Sequence, residues 1–397
     1  MTEAIAKSNK EKVQTESLAA WFQNLGQGCI EIATGGGKTK IGLMAIKQLR
    51  DYFLATSMSV PYVCIVVPTE EMRDIDWIDE ANKWGINLDH VDLVCFASLS
   101  KVNLSKYDLV IYDECHRLTL PNLKNLEKYQ RANLFVLGLT ATKPRGMYDD
   151  PERVRLLNKL LPTVYKLTTD EAVELGLIAD FEVNVIKFDL STKLDYEVVG
   201  KNKTSEKLMY EYRTRALQRA TILSQKDKRK EGFKFAAMAK RLHMIQNLPS
   251  KHTLTKWILI QPSIQASRVI VFTGSIEQAN KLGKEFAFHS KSKRDALENF
   301  QNKSSNLLIA VKSLNEGKNL AEPDIGIIAQ VNSVERNLVQ QIGRLVRIRY
   351  TDLTHKAKVY ILVAKDTADE KWFNEAIADF DSKRISYTYV KIPEDGV

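Results

Sequence analysis

The sequence predicts an α/β fold of two tandem domains, each a parallel sheet flanked by helices, with a basic and mainly helical insert in the second domain. Three observations predict this fold. Short apolar runs bounded by turn residues alternate with helical stretches, a pattern typical of parallel sheets covered on both faces. These runs form two series, and 397 residues are enough for two or three domains. The positive charge is concentrated in the second series.

Each series contains five predicted strands. They lie at residues 29–32, 62–67, 91–96, 109–112 and 134–137 in the first series, and at 181–188, 268–272, 307–311, 325–328 and 359–363 in the second. A helical stretch at residues 170–175 ends the first series, so we place the break at residues 177–180. This predicts domains at residues 1–180 and 181–397, with the insert at about residues 193–262.

The composition is that of a globular protein. Hydrophobic residues make up 44% and charged residues 27% of the chain, which excludes collagen-like, mucin-like and wholly disordered proteins. The apolar runs are far shorter than the ~20 residues of a membrane span, and the amino terminus lacks the apolar core of a secretory signal. The four cysteines lie far apart, three of them in predicted strands, so we expect reduced, buried thiols in a cytoplasmic protein.

The net charge of +9 arises from one segment. Between Lys193 and Lys256 there are 16 Lys or Arg and 6 Asp or Glu, a net charge of +10 that leaves about −1 for the rest of the chain. A solvated helical face would explain such a run, but a phosphate backbone is the better-matched partner for a segment that holds the whole basic excess. Lys228, Arg229 and Lys230 are therefore candidate nucleic-acid contacts.

Residues 29–39 read as a strand, a glycine turn, a lysine and a hydroxyl, and a helical stretch follows. Glycines let successive backbone N–H groups turn toward phosphate oxygens, and a helix amino terminus adds its positive dipole end. In such a loop the lysine reaches the β- and γ-phosphates and the hydroxyl holds Mg²⁺. Ile32 stands where the strict eight-residue pattern has its first glycine. The residues predicted to bind ATP here are Thr34, Gly35, Gly36, Gly37, Lys38 and Thr39.

The predicted strand at residues 109–112 runs directly into Asp113 and Glu114. This places adjacent carboxylates at the carboxyl edge of a parallel sheet, where α/β folds bind ligands. Asp113 can hold Mg²⁺ through water, and Glu114 can orient and deprotonate an attacking water. In-line phosphoryl transfer requires this positioning and charge neutralisation. The adjacent Cys115 and His116 lack the ligand spacing of a zinc site.

With these two elements in view, the chain resembles the superfamily 2 helicases and translocases of the DEAD/DEAH group, here with an Asp-Glu-Cys-His box. The resemblance implies two RecA-like domains with ATP·Mg²⁺ between them. The other segments that resemble family motifs are, in order, residues 14–18, 67–69, 139–142, 271–275, 312–320 and 340–347. Each segment alone is weak, but six in the correct order at predicted strand ends or helix starts form a specific combination.

The resemblance also implies roles for individual residues. It assigns Gln14 to adenine, Gly317 and Asn319 to the nucleotide, and Gln340, Arg344 and Arg347 to catalysis beside Glu114. It assigns Thr140 and Thr142 to coupling, and Pro68, Thr69, Ser98, Thr273, Gly274, Ser275 and Ser313 to nucleic-acid contacts. Arg344 and Arg347 are three residues apart and can both point at one phosphate from one helical face. Such arginine fingers are worth about 10³–10⁵ in rate in GTPases.

The basic insert, the finger pattern and residues 367–372 resemble phage UvsW-type helicases, which remodel forks and migrate junctions. This implies an ATP-dependent DNA helicase or translocase moving 3′ to 5′ in replication, recombination or repair. ATP and Mg²⁺ would be its cofactors, and single-stranded, forked or branched DNA its partner. We expect a monomer, located in the host cytoplasm if phage-encoded.

Three alternatives remain open. One is an RNA helicase. Another is the duplex-DNA translocase motor of a restriction or repair complex that does not separate strands. The third is a nucleic-acid-binding module with a decayed ATP site, against which the intact lysine, acidic pair and arginines argue.

Overall fold

In a computed structural model the chain divides into two compact units. The described residues up to Asp180 form the first, and those from Phe181 on, apart from His355, form the second. The structure describes residues 3–33, 35–56, 59–131, 133–144, 150–194, 196–197, 203–292, 294–311, 323–331, 338, 341–343, 345, 355–377 and 380–392. Each unit is a sheet flanked by helices, which confirms the predicted α/β fold class.

The first unit contains a six-stranded parallel sheet. Its strands are β1 (Gln27–Ile32), β2 (Val63–Val67), β3 (Val91–Cys95), β4 (Leu109–Asp113), β5 (Phe135–Thr140) and β6 (Thr163–Leu167). They lie in the order β3-β2-β4-β5-β1-β6, and every neighbouring pair is parallel. All residues of β2 and β4 are buried, as their continuous apolar sequence predicts. Because the strands are parallel, the turn after β1 and the residues after β4 lie at the same edge of the sheet.

Among the described residues, six α-helices cover this sheet. They are α1 (Glu3–Gln23), α2 (Lys38–Thr56), α3 (Trp77–Trp84), α4 (Leu120–Tyr129), α5 (Pro151–Leu160) and α6 (Thr169–Glu174). A π-helix at Met72–Asp76 continues directly into α3, and short 3-10 helices occupy Phe96–Lys101, Leu104–Lys106 and Cys115–Arg117. Helix α6 begins with a capping box, in which the Thr168 and Glu171 side chains each bond the other's backbone N–H.

The second unit contains a seven-stranded sheet. Its strands are β7 (Asp180–Phe188), β10 (Val269–Thr273), β11 (Ala287–Phe288), β12 (Leu307–Val311), β13 (Ile325–Ile328), β14 (Lys356–Ala364) and β15 (Ile385–Tyr389), in the order β11-β12-β10-β13-β14-β7-β15. The pairings of β10 with β12 and β13 are parallel, as are β11–β12, β13–β14 and β7–β15. Strands β8 (Tyr196–Glu197) and β9 (Lys203–Thr204) form a small antiparallel pair.

The helices of the second unit are α7 (Glu206–Lys226), α8 (Glu231–Gln246), α9 (Pro249–Leu259), α10 (Pro262–Gln265), α11 (Ile276–Gly283), α12 (Asp295–Gln301) and α13 (Ala368–Ala376). Helices α7 and α8 pack on each other and are joined by a 3-10 turn at Lys228–Lys230; we call these three elements the helical arm. Within residues 210–243, all of which the structure describes, only Ala220 is buried. The arm is therefore exposed over most of its length and forms the greater part of the predicted basic insert.

A buried ion pair joins helices α9 and α13 of this unit. Lys251 Nζ in α9 is 2.8 Å from Asp369 Oδ2 in α13, and both side chains are 0% exposed. Gln330, just after β13, accepts a bond from Lys251 Nζ at 2.8 Å and donates to Asp369 Oδ1 at 3.3 Å. The Ala364 N–H also bonds Asp369 Oδ2. Both charges thus have hydrogen-bond partners in the interior, which buried ions require.

The four cysteines are free and buried, as predicted. None of the helices that the structure describes has both the length and the apolar character needed to cross a membrane.

Candidate functional site

The glycine turn after β1 folds tightly onto the end of its strand. Gly35 and Gly37 have φ angles of +98° and +85°, which side-chain-bearing residues rarely adopt. A Cβ on Gly36 would lie 2.2 Å from Ile32 Cγ2, so only glycine fits there. Helix α2 begins at Lys38, immediately after the turn. This strand–turn–helix geometry suits an anion at the amino terminus of α2.

Gln14, in α1, packs against the same turn. Its Nε2 donates a hydrogen bond to the Gly36 carbonyl oxygen at 3.2 Å, and a Cβ on Gly37 would lie 2.2 Å from this nitrogen. The side chain is buried, and its Oε1 has no hydrogen-bond partner among the described residues. Since an unsatisfied buried acceptor costs about 1–3 kcal/mol, this oxygen is suited to accept a bond from a ligand.

The acidic pair stands opposite the turn. Strand β4 ends at the buried Asp113, and Glu114 follows with φ 55° and ψ 51°, in the left-handed region. A residue other than glycine held there carries strain of order 1–3 kcal/mol, which is common at functional sites. Lys38 Nζ lies 3.9 Å from Glu114 Oε1. The structure therefore brings the loop lysine and the second carboxylate together.

The two carboxyl groups have different acidities. Burial, and then the charge of Glu114, raises the pKa of Asp113 to about 7. Burial also opposes ionisation of Glu114, but the charge of Lys38 and the adjacent His116 imidazole outweigh it and lower the pKa of Glu114 to about 2. Glu114 is therefore ionised at neutral pH, whereas the negative charge of Asp113 is costly unless a cation accompanies it.

His116 joins the acidic pair to the end of β5. Its Nδ1 lies 2.9 Å from Thr140 Oγ1 and 3.2 Å from Glu114 Oε2. The Thr140 hydroxyl is placed to donate its single hydrogen to the Thr142 carbonyl oxygen at 3.1 Å, so we assign a proton to His116 Nδ1. A continuous series of contacts thus runs from Lys38 through Glu114 and His116 to Thr140. His116 is the last residue of the Asp-Glu-Cys-His box, but no role of its own was predicted for it from the sequence.

Trp77 is a second residue of the site that was not predicted from the sequence. It is the first residue of α3 and is fully buried. Its Nε1–H donates a hydrogen bond to Asp113 Oδ2 at 3.1 Å. One oxygen of the carboxylate is thereby held by a neutral donor. A tryptophan in a largely polar stretch carries no sequence signal for such a contact.

The residues of the first unit that are predicted to contact nucleic acid lie at the same edge of the sheet. Pro68 and Thr69 follow β2 and are half-buried, and Thr69 Oγ1 accepts a bond from the Met72 N–H at 3.2 Å. Ser98 is exposed in the 3-10 helix after β3. Strands β2 and β3 are neighbours, so these residues follow adjacent strands at the carboxyl edge.

In the second unit the predicted contacts are largely engaged within the protein. Thr273 is buried at the end of β10, with its hydroxyl directed at backbone carbonyl oxygens. A Cβ on Gly274 would lie 2.6 Å from Gln246 Cγ. The Ser275 hydroxyl lies 2.6 Å from Asn247 Oδ1 and caps α11. These interactions join the end of α8 to the turn after β10.

The basic candidates are at the end of the helical arm. Lys228, Arg229 and Lys230 are all exposed, and the Arg229 side chain is 91% exposed although it pairs with Asp227. The remaining predicted site residues lie outside the described residues: Thr34, Ser313, Gly317, Asn319, Gln340, Arg344 and Arg347.

Two family models match the chain. Residues 5–145 match the res subunit of type III restriction enzymes, and residues 250–349 match the helicase conserved C-terminal domain. No curated protein sequence matches the chain significantly.

Solved structures show the same fold. The chain is similar to the helicase domain of Hef from Pyrococcus furiosus, with a TM-score of 0.52, 17% identity, and coverage of 92% of this chain and 97% of that one. It is similar to the type ISP restriction-modification enzyme LlaBIII bound to DNA, with a TM-score of 0.58, 13% identity, and coverage of 97% and 31%. It is also similar to a fragment described as an HsdR subunit of a type I restriction enzyme from Vibrio vulnificus YJ016. There the TM-score is 0.59 and the identity 15%, with coverage of 97% of this chain and 69% of that one. The two family matches, in this order along the chain, and the shared fold support a superfamily 2 helicase.

Proposed function

We propose that the chain is a DNA-stimulated ATPase that moves 3′ to 5′ on DNA and remodels branched DNA in replication, recombination or repair. The observation that carries the proposal is the contact series Lys38–Glu114–His116–Thr140. It joins the predicted phosphate loop, the predicted catalytic carboxylate and the predicted coupling segment within one unit. A static binding module has no need for such a connection.

The residues present fit ATP and Mg²⁺. The glycine turn suits phosphates, the unsatisfied Gln14 Oε1 can accept a bond from the adenine amino group, and the buried Asp113 carboxylate favours a neighbouring cation. Lys38 and Thr39 would bind the phosphates and the metal together with Asp113. The metal supplies charge neutralisation at the transferring phosphoryl group when bound.

The ionised Glu114 is suited to orient a water and accept its proton. His116 is then placed to transmit the state of Glu114 to Thr140, because its Nδ1 contacts both side chains: it bonds Thr140 Oγ1 and lies 3.2 Å from Glu114 Oε2. Arg344 and Arg347 remain the predicted source of further positive charge during hydrolysis. In this scheme, binding and release of the nucleotide change the contacts of β5. The contacts that Thr69 and Ser98 make with the DNA strand change in turn.

The helical arm is proposed to grip DNA through phosphates without reading sequence. Replacing Lys228, Arg229 and Lys230 with alanine should weaken DNA binding about tenfold or more at moderate salt. The slope of log affinity against log salt should become shallower by about 0.9 for each phosphate that the variant no longer neutralises. Fluorescence anisotropy with a labelled duplex over a salt series measures both quantities.

A matched control removes the same charge elsewhere. Lys7, Lys12 and Lys47 are exposed and pair with carboxylates on their own helices, so their triple alanine variant should leave affinity and salt slope nearly unchanged. Equal effects of the two triple variants would show that the arm has no special part in DNA binding.

The function itself is tested by steady-state ATP hydrolysis with Mg²⁺. Turnover would be compared without nucleic acid and with single-stranded DNA, duplex DNA, branched DNA and RNA, with Lys38→Ala as the blank. We expect stimulation by single-stranded or branched DNA that is lost in Lys38→Ala. Stimulation by RNA alone would indicate an RNA helicase instead, and no turnover with any of them would contradict the proposal.

A second candidate function is the motor of a restriction enzyme that translocates on duplex DNA without separating strands. The family match of residues 5–145 to a restriction res subunit and the likeness to LlaBIII favour it. The two candidates differ in their products. A duplex motor displaces a triplex-forming strand but does not unwind a fork, whereas the proposed remodelling activity separates or exchanges fork arms.

A further inference from the structure

The metal-binding carboxylate proposed above is held by a residue that belongs to no predicted motif. Trp77 is fully buried, and its Nε1–H lies 3.1 Å from Asp113 Oδ2. A lysine or arginine in this place would neutralise the carboxylate and compete with a metal ion. An indole N–H instead fixes the orientation of the group and leaves its charge intact. This is the arrangement expected of a residue that presents a carboxylate to a cation.

Trp77 is also tied to the helix that follows the glycine turn. A Cβ on Gly42, in α2, would lie 2.6 Å from Trp77 Cη2, so the indole packs directly against the α2 backbone. At the other end of α3, Lys40 Nζ lies 3.7 Å from the centre of the Trp84 ring. Helix α3 is therefore attached to α2 at both ends, and any shift of α3 displaces the indole relative to Asp113.

The backbone between Thr69, a predicted DNA contact, and Trp77 is hydrogen-bonded throughout. Thr69 Oγ1 accepts a bond from the Met72 N–H, and the Thr69 carbonyl accepts one from the Arg73 N–H. The π-helix follows, and the Trp77 N–H bonds the Met72 carbonyl. Thr69 and Trp77 are thus the two ends of one continuous hydrogen-bonded segment.

The π-helix determines where Trp77 points. A π turn contains one residue more than an α turn, which rotates the helix that follows by about 100°. That extra residue brings the side chain at position 77 onto Asp113. Such π turns are rare and occur frequently at functional sites.

From these contacts we infer that Trp77 is a positioning residue that links the binding of a DNA strand near Thr69 to metal–nucleotide binding at Asp113. The inference rests on the proposed function and adds a route by which DNA regulates the site. A strand bound at Thr69 fixes the π-helix and α3, and thereby the indole and the Asp113 carboxylate. By reciprocity of linked equilibria, bound metal–nucleotide must then strengthen DNA binding by the same factor.

The test compares Trp77→Phe with Trp84→Phe, a tryptophan of the same helix whose indole N–H bonds Glu80 instead. The affinity for a fluorescent ADP analogue would be measured with and without Mg²⁺, and with and without single-stranded DNA. In Trp77→Phe we expect the gain in affinity from Mg²⁺ to shrink about tenfold and the effect of DNA on affinity to disappear. Trp84→Phe should retain both effects, as should the unmodified chain, because phenylalanine keeps a ring for Lys40 and the lost indole N–H bonds only the surface carboxylate of Glu80.

A purely structural role for Trp77 would lower thermal stability but leave the Mg²⁺-dependent gain unchanged; equal gains in the two variants would overturn the inference. Gly42→Ala provides a second test, because it displaces the indole and keeps its N–H. It should reduce the Mg²⁺-dependent gain in the same direction, and an unchanged gain counts against the inference. If the unmodified chain shows neither effect, the proposed function fails and this inference fails with it.

Discussion

Replacing Glu114 with glutamine should lower the rate of ATP hydrolysis about 10²–10⁴-fold, the range expected when a general base is lost. Nucleotide binding should persist. Glutamine has nearly the same shape and keeps an oxygen beside His116, while the negative charge that, after burial, raises the pKa of Asp113 is removed. The variant should therefore accumulate with bound ATP. Single-turnover hydrolysis and equilibrium binding of a labelled nucleotide measure the two properties separately.

The control for this variant is Glu16→Gln, at an exposed position of α1 where the carboxylate pairs with Lys12. It should hydrolyse ATP at the unmodified rate. A Glu114→Gln variant that kept more than about a tenth of the turnover would show that another group activates the water. Loss of both binding and hydrolysis would instead indicate that Glu114 acts mainly by holding Lys38.

Replacing Lys251 with methionine should destabilise the second unit by about 3–5 kcal/mol, the usual effect of removing one partner of a buried ion pair. Asp369 would be left charged and 0% exposed, held by Gln330 and a backbone donor without its countercharge. Because the cost arises from this uncompensated charge, adding Asp369→Asn should recover part of the loss. Urea unfolding of the full chain, followed by circular dichroism, measures these differences.

Lys281→Met is the matched control, since Lys281 pairs with Glu277 at 2.9 Å on the exposed surface of α11. Its effect should stay below about 1 kcal/mol, as for most surface ion pairs. Equal destabilisation by the two methionine variants would mean that Lys251 contributes no more than a surface lysine. Additive effects of Lys251→Met and Asp369→Asn would show that the two charges are not coupled.

The strands most directly predictable from the sequence are those whose residues are apolar and buried in an unbroken run. Strands such as β2 and β4 are apolar over most of their length and buried on both faces, and the structure confirms them. Strands β6 and β15 were not predicted, because they lie at sheet edges and most of their residues are exposed or half-buried. Strand β11 has only two residues, too few for any periodicity.

The placement of Lys38, Asp113 and Glu114 followed from local rules, since a turn after one parallel strand and a carboxylate after another must share an edge. Trp77 could not be placed in this way. The extra residue of the π-helix breaks the 3.6-residue period, so no helical pattern indicates which side position 77 faces. Lys251 and Asp369 are far apart in the sequence, and their pairing depends on how α9 and α13 pack, which no sequence pattern records.

The base of the helical arm has a consequence for how the chain could diversify. Glu206, at the start of the arm, accepts bonds from the Ser250 N–H and hydroxyl at 2.7 and 2.6 Å, just beyond its end. The polypeptide therefore leaves and re-enters the sheet domain at nearly one point. An inserted segment whose two ends lie this close together can be lengthened, shortened or exchanged without changing the register of any β-strand. Proteins that share these two sheets can therefore differ in the length and surface of this arm while the sheets and the carboxyl edge stay the same.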